Sequence, residues 1–259
     1  MHARVEAEAV LPRRGLFGML GLGLAAWLAG CTASTVPAGP GRGGGGTATA
    51  SPSRVAAGSA APSGRRIALT VDDGYAHDVV AGYIDFARRT GIHLTFSPNG
   101  TYASAWAPQA AVLRPLIDVG QVQIMNHTFS HPRLTQLSAG RVREELEHNE
   151  QWIATTFGTS TRPYWRPPYG AHNPAVDAIA RDTGFPTPVM WTGSYGDSTL
   201  VTPEFLLDQA RRYLTPGQIV LGHANHPTIL GLFDQISDLV RERDLQPATL
   251  DEFFGTNRR

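Results

Sequence analysis

Apolar residues are distributed along this chain in three ways, and each predicts a different kind of segment. From Leu16 to Gly30 they form one continuous run, shorter than an ordinary membrane span. Between Thr32 and Gly64 they give way to Gly, Ala, Ser, Thr and Pro without periodicity, including Gly43, Gly44, Gly45 and Gly46. From Arg65 onward short apolar runs alternate with longer amphipathic stretches. That is the pattern of a repeating βα unit rather than of an all-β or all-α domain.

The short runs predict strands at Ile67 to Asp72, His93 to Ser97, Val122 to Asn126, Tyr164 to Arg166, Thr187 to Trp191 and Ile219 to Gly222. The amphipathic stretches predict helices at His77 to Arg89, Pro108 to Val119, Ala139 to Phe157, Pro174 to Thr183, Pro203 to Tyr213 and Ile229 to Arg243. Ser138 and Thr202 stand where helix N-caps belong. Strands alternating with helices have to be mostly parallel and joined by right-handed crossovers. The result is an α/β fold, either an open doubly wound sheet or a barrel, and the pattern does not choose between them.

The polar residues that interrupt this pattern share one position: nearly all lie at or just past the C-terminal end of a predicted strand. Asp72 and Asp73 end the first, His127 and His131 follow the third, Arg166 and Tyr169 the fourth, Trp191 the fifth and His223 the sixth. In a parallel α/β protein those ends converge on one face, where sites are built. Adjacent carboxylates repel unless a cation or a proton neutralises one, so Asp72-Asp73 points to a metal beside a base, although a solvated Asp-Asp-Gly turn would read the same. His127 and His131 have the i, i+4 spacing of two ligands on one side of a turn, and Pro132 limits any helix there to a short one. Two prolines stiffen Arg166-Pro167-Pro168-Tyr169-Gly170, which suits a fixed oxyanion donor as well as a plain strand-to-helix loop. His223, at the end of an apolar run, is suited to acid–base work, although a lone histidine at that place more often serves structure.

Composition narrows the setting. A chain of 259 residues that is 42% hydrophobic holds one sizeable domain, and 22 Lys+Arg against 22 Asp+Glu leave no basic excess for nucleic acid. The single cysteine, Cys31, excludes an intramolecular disulfide and a multi-thiolate metal site. It ends Leu28-Ala29-Gly30-Cys31, which resembles the bacterial lipobox, after an apolar run preceded by Arg13 and Arg14. The expectation is therefore a lipoprotein signal peptide over 1–30, with either a general or a twin-arginine export route. A lipidated Cys31 with a flexible tether would occupy 31–64 and a catalytic domain 65–259. That places the protein outside the cell, anchored to the outer face of a bacterial membrane.

Taken in order, the motifs resemble the polysaccharide deacetylase (NodB-homology) family, carbohydrate esterase family four. Thr70-Val71-Asp72-Asp73-Gly74-Tyr75 resembles its first motif and Asn126 to His131 its second. Arg166 to Gly170 resembles the third, and Leu221-Gly222-His223 the fifth. The fourth departs from the pattern. In Trp191-Thr192-Gly193-Ser194-Tyr195-Gly196-Asp197-Ser198, Asp197 aligns with the second Asp of the family's Asp-x-x-Asp-Trp, while Ser194 and Ser198 replace the first Asp and the Trp.

The resemblance implies a distorted (β/α) barrel of about seven parallel strands and a divalent metal, zinc above all with cobalt or manganese also suited, held by Asp73, His127 and His131. It implies Asp72 as general base, the backbone N–H of Tyr169 as oxyanion donor and His223 as the acid that protonates the departing amine. Arg166 is implied to orient Asp72, Asp197 to orient His223, and Trp191 and Leu221 to wall the acetyl pocket. The other histidines of the expected catalytic domain, His77, His93, His148, His172 and His226, have no motif partner and read as structural or surface residues. The implied activity is removal of N-acetyl groups from an envelope glycan such as peptidoglycan. An O-acetyl esterase, a small-amide hydrolase and a non-catalytic wall-binding protein remain alternatives. The expected partners are the glycan and the membrane; the sequence leaves the oligomeric state open.

Overall fold

In β1 (Arg66–Asp73) alternate side chains build the two surfaces of this fold. Ile67, Leu69 and Val71 join the large apolar cluster covered by helices, whereas Ala68 packs in a second cluster with Met125, Tyr164, Val189 and Ile219. Successive residues of a strand face opposite sides, so one in two is sent outward and the other inward. Thr70 and Asp72 continue the inward set, and both meet the guanidinium of Arg166.

The computed structural model describes residues 64–256. The expected signal peptide, Cys31 and the tether up to residue 63 lie outside the described residues. After β1 the chain runs through α1 (His77–Thr90), β2 (Leu94–Pro98), α2 (Ala103–Trp106), α3 (Ala110–Asp118) and β3 (Val122–Ile124). Then come α4 (Ala139–Phe157), β4 (Tyr164–Trp165), α5 (Pro174–Asp182), β5 (Thr187–Pro188) and β6 (Gly193–Ser194). The last elements are α6 (Pro203–Tyr213), β7 (Ile219–His223), α7 (Phe233–Glu242), β8 (Gln246–Ala248) and α8 (Leu250–Phe254).

Every strand pairing is parallel. The main sheet runs β3-β2-β1-β7-β6, with β8 on the first half of β1. A parallel bridge from Asn126 to Trp165 carries the pairing from the β3 side to β4, which pairs β5. Residues 187–194 pair with β4 at one end and with β7 at the other, so the backbone pairing returns to its start. The fold is thus a distorted α/β barrel rather than an open sheet, with β5 and β6 as two ends of one segment. Leu250 and Phe253 of α8 join the interior cluster around Ala68, and the polar inward residues lie toward the strands' C-terminal ends.

Most predicted elements are found within a residue or two. Ser138 caps α4 by accepting from the Arg141 N–H at 3.4 Å, and Thr202 caps α6 by accepting from Phe205 at 3.3 Å. The helix predicted from Pro108 starts instead at Ala110, because residues 107–109 form a tight 3-10 turn around the proline. The helix predicted from Ile229 starts at Phe233, after a 3-10 stretch at Pro227–Gly231. The strand predicted over Thr187 to Trp191 keeps ladder pairing only at Thr187 and Pro188. β6, β8 and α8 are too short to show a period in sequence.

Candidate active site

Two adjacent carboxylates leave β1, and each has one oxygen tied down and one left free. Asp72, 2% exposed, accepts at Oδ1 from Arg166 Nη1 at 2.8 Å and from the Ser97 hydroxyl, while Oδ2 faces His127 Nε2 at 3.5 Å. Asp73 accepts at Oδ2 from Asn225 Nδ2 at 2.9 Å. Its buried Oδ1 accepts no hydrogen bond and lies 3.4 Å from Nε2 of both His127 and His131. Ser97 is the register partner of Asp72 on β2, so strand pairing itself delivers that hydroxyl.

His127 and His131 come from the segment after β3. The turn or short helix expected there is not helical: residues 127–131 form an irregular bend, and Thr128 (φ 67°) and His131 (φ 57°) are left-handed. That conformation is costly for a side chain with a Cβ, above all for β-branched Thr. Polar groups of the surrounding elements hold it. Asn99 Nδ2 donates to the carbonyls of His127 and Thr128 at 2.6 and 2.9 Å, and Glu145 on α4 accepts from Ser130 N and Oγ at 2.8 and 2.6 Å. His127 Nδ1 donates to the Arg166 carbonyl at 2.8 Å, which leaves a lone pair on Nε2.

Three electron-pair donors, from Asp73, His127 and His131, therefore converge with their ligand atoms within 4.8 Å of one another. Such a set holds its charge and lone pairs together best around a cation, and one carboxylate with two imidazoles suits zinc and related divalent ions. Burial raises the Asp73 pKa, but the His127 contact, with the charges of His127, His131 and His223, outweighs it and holds the carboxyl well below the usual range. Burial lowers His127, yet Asp72 and Asp73 carry it above its ordinary value. His131 is lowered by burial and by the neighbouring His127 charge.

The other predicted residues gather around the same cleft, of about 460 Å³, which is lined by Asp72, Asp73, His127, His131, Tyr169, Trp191, Leu221 and His223. Arg166, fully buried, lies behind it and also donates to Thr70 Oγ1 at 3.0 Å and to the Val189 carbonyl at 2.9 Å. Tyr169 is left-handed (φ 59°) and 61% exposed, held between Pro168 and Gly170. His223 Nδ1 meets Asp197 Oδ1 at 2.9 Å, while Asp197 Oδ2 accepts the His223 backbone N–H at 3.1 Å. Burial lowers the His223 pKa, but the Asp197 hydrogen bond and charge raise it above its ordinary value. In the divergent fourth motif, the Ser194 hydroxyl accepts from Gly196 N at 3.0 Å and shapes the turn that delivers Asp197; Ser194 and Ser198 both line the cleft.

Sequence reasoning did not single out Ser97, Asn99, Glu145, Asn149 or Asn225. Asn225 is the most directly placed: it also accepts from Gly74 N at 3.1 Å, fixing the turn that carries Asp73. Of the histidines without a motif partner, His93 pairs with Glu252, His172 with Asp177, and His148 stacks on Phe129. His226 reaches the Tyr75 hydroxyl at 3.2 Å.

The sequence profile described as polysaccharide deacetylase matches residues 59–188. The chain is 28% identical over 200 residues to a peptidoglycan-N-acetylglucosamine deacetylase of Listeria monocytogenes, a match covering 75% of this chain and 40% of that protein. It thus spans about two fifths of the length of that relative. It is 26% identical over 182 residues to a peptidoglycan-N-acetylmuramic acid deacetylase of Bacillus subtilis, covering 69% of this chain and 67% of that one. Among solved structures, a family 4 carbohydrate esterase from Streptomyces lividans in complex with acetate gives a TM-score of 0.63 at 26% identity, covering 72% of this chain and 93% of that one.

Proposed function

Because the chain belongs to the polysaccharide deacetylase family, we propose that it is a metal-dependent hydrolase that removes N-acetyl groups from a cell-envelope glycan, releasing acetate. The observation that carries the metal dependence is the buried Asp73 Oδ1, without a hydrogen bond and 3.4 Å from two imidazole nitrogens. The peptidoglycan deacetylases among the relatives support the polymer.

Asp73, His127 and His131 would hold the ion, zinc by preference of its donors and cobalt or manganese as substitutes. When bound, such an ion supplies Lewis acidity to water and to the acetamide carbonyl. Asp72 acts as general base through Oδ2, the oxygen that Arg166 and Ser97 do not engage. Arg166 keeps that carboxylate in one orientation. The Tyr169 backbone N–H, fixed by the two prolines before it, donates to the developing oxyanion, a contact typically worth about 3 kcal/mol. His223, held by Asp197 through Nδ1, delivers a proton to the departing amine. Trp191 and Leu221 wall the acetyl group.

The deciding experiment is acetate release by the full chain from N-acetylglucosamine oligomers and from peptidoglycan, after chelation and after adding back zinc, cobalt or manganese. Release lost on chelation and restored by metal is expected. Release indifferent to chelation would remove the metal from the mechanism, and release from O-acetylated substrates alone would make the protein an esterase. The lipobox-like Leu28-Ala29-Gly30-Cys31 supports export and anchoring at the outer face of the membrane. Cys31→Ala is expected to move the protein from the membrane to the soluble fraction; unchanged fractionation would count against lipidation.

A further inference from the structure

Nearly every arginine among the described residues is engaged by an acidic side chain or a carbonyl, as in Arg88–Asp85, Arg141–Glu144, Arg162–Glu150 and Arg241–Asp238. Arg133 and Arg212 are the exceptions, and of the two only Arg133 packs on a residue that lines the cleft. Arg133 is exposed and has neither an acidic partner nor a hydrogen bond from its guanidinium among the described residues. Its guanidinium instead lies over the Tyr169 ring, 4.9 Å from its centroid; that residue is 61% exposed, and its ring also meets the His131 ring with centroids 4.6 Å apart. The unpaired cation thus stands one aromatic ring away from a residue of the Asp73, His127 and His131 cluster.

Both halves of this pair are anchored. Arg133 follows Pro132 and opens the 3-10 turn Leu134–Gln136, with its carbonyl accepting from Gln136 N at 3.0 Å. Tyr169 is left-handed between Pro168 and Gly170. A guanidinium packed on an aromatic face uses that face for contact, while its N–H edge stays available for a planar acceptor. The acceptor that matches such an edge, with two oxygens in one plane and a negative charge, is a carboxylate.

Resting on the deacetylase reading of the cleft, we propose that Arg133, stacked on Tyr169, binds a carboxylate carried by the glycan beside the acetylated sugar, so that the preferred substrate is acidic rather than neutral. In a peptidoglycan-like polymer that group comes from either of two sources: an acid substituent on the sugar itself or the peptide attached to it. The chemistry at Arg133 is the same for both. The contact adds affinity without touching the reacting atoms, so it acts on KM rather than on kcat.

The test compares three substrates of equal sugar length with the full chain: neutral N-acetylglucosamine oligomers, glycan fragments bearing the sugar acid alone, and fragments bearing the peptide. Both binding and acetate release are measured at low and high salt. The wild type is expected to favour at least one acidic substrate over the neutral one by about fivefold in kcat/KM, with the preference shrinking as salt screens it. Arg133→Ala should erase the preference through KM with kcat on the neutral oligomer unchanged. Arg212→Ala, which removes the cation packed 5.2 Å over the Tyr213 ring, should keep the preference. A preference for the sugar acid without the peptide assigns the carboxylate to the sugar, and one that requires the peptide assigns it to the peptide. Equal binding of acidic and neutral glycans, or a preference that survives Arg133→Ala, would overturn the proposal. If no substrate releases acetate, the deacetylase reading fails, and the binding comparison still decides for or against Arg133.

Discussion

Asp72 and Asp73 are neighbours in the chain, and single residues far from them in sequence give each its orientation. Ser97 and Arg166 occupy one oxygen of Asp72, and Asn225 occupies one oxygen of Asp73. The same logic governs His223, whose Nδ1 is taken by Asp197 so that the rest of the ring is free for the cleft. The raised pKa of His223 means that its protonated, proton-donating form survives above the ordinary histidine range and is lost as pH rises through the raised value. Activity should therefore fall on the alkaline side at a pH above that of an unperturbed histidine. Asp197→Asn removes the charge that raises it and should shift this alkaline limb of the kcat profile to lower pH; an unmoved limb would mean that another group sets it. The polar residues that serve as anchors carried only faint signals in the sequence. Ser97 stands on the inward face of a strand, but Asn225 is one more loop polar residue until its side chain is seen on Gly74 and Asp73.

At the scale of elements, α4 and the bend at residues 127–131 form one unit. The apolar stripe of α4, with Val142, Leu146 and Ile153, is interrupted by buried Glu145 and Asn149. Buried polar side chains on such a stripe are expensive unless satisfied, and these are satisfied by the segments that carry the site. Asn149 accepts from Gly100 N at 2.9 Å and donates to the Pro98 carbonyl at 3.1 Å and to Asn126 Oδ1 at 3.2 Å. Of the five non-glycine residues with left-handed backbone among those described, Asp73, Thr128, His131 and Tyr169 belong to the site, and each such residue costs about 1–3 kcal/mol unless its surroundings enforce it. Asn149→Ala would leave the Gly100 N–H and the Pro98 carbonyl unpaired in a dry interior. It should lower the unfolding free energy by about 2–3 kcal/mol in urea titration. A loss below about 0.5 kcal/mol would show that the Asn149 contacts to Gly100, Pro98 and Asn126 do not stabilise the fold.

For the whole molecule, the barrel has an apolar end, where Leu250 and Phe253 join Ala68, and a polar end, where Arg166 crosses from Thr70 to Asp72. The proposed metal would join the end of β1 to the segment after β3, groups that lie together only in the folded chain. Ligand binding to the native state alone stabilises it by about 2.7 kcal/mol at a hundred times its dissociation constant. Zinc should accordingly raise the calorimetric Tm of the full chain, chelation should reverse the rise, and Asp73→Ala should abolish it. A Tm indifferent to zinc would count against the site. The sequence by itself determined much: the βα order and most element positions followed from hydrophobic period, because burial of an outward face leaves that period in the chain. The motif residues at strand ends also followed, because parallel strands send their C-terminal ends to one face. The hydrophobic period left open sheet and barrel undecided and only the motif resemblance pointed to a barrel; tertiary structure supplied the closing pairings, with residues 187–194 paired on both edges. It also decided the left-handed bend at His127 to His131 and the anchoring by Asn225, Asn149 and Glu145, because partners distant in sequence fix these conformations and no local pattern encodes them.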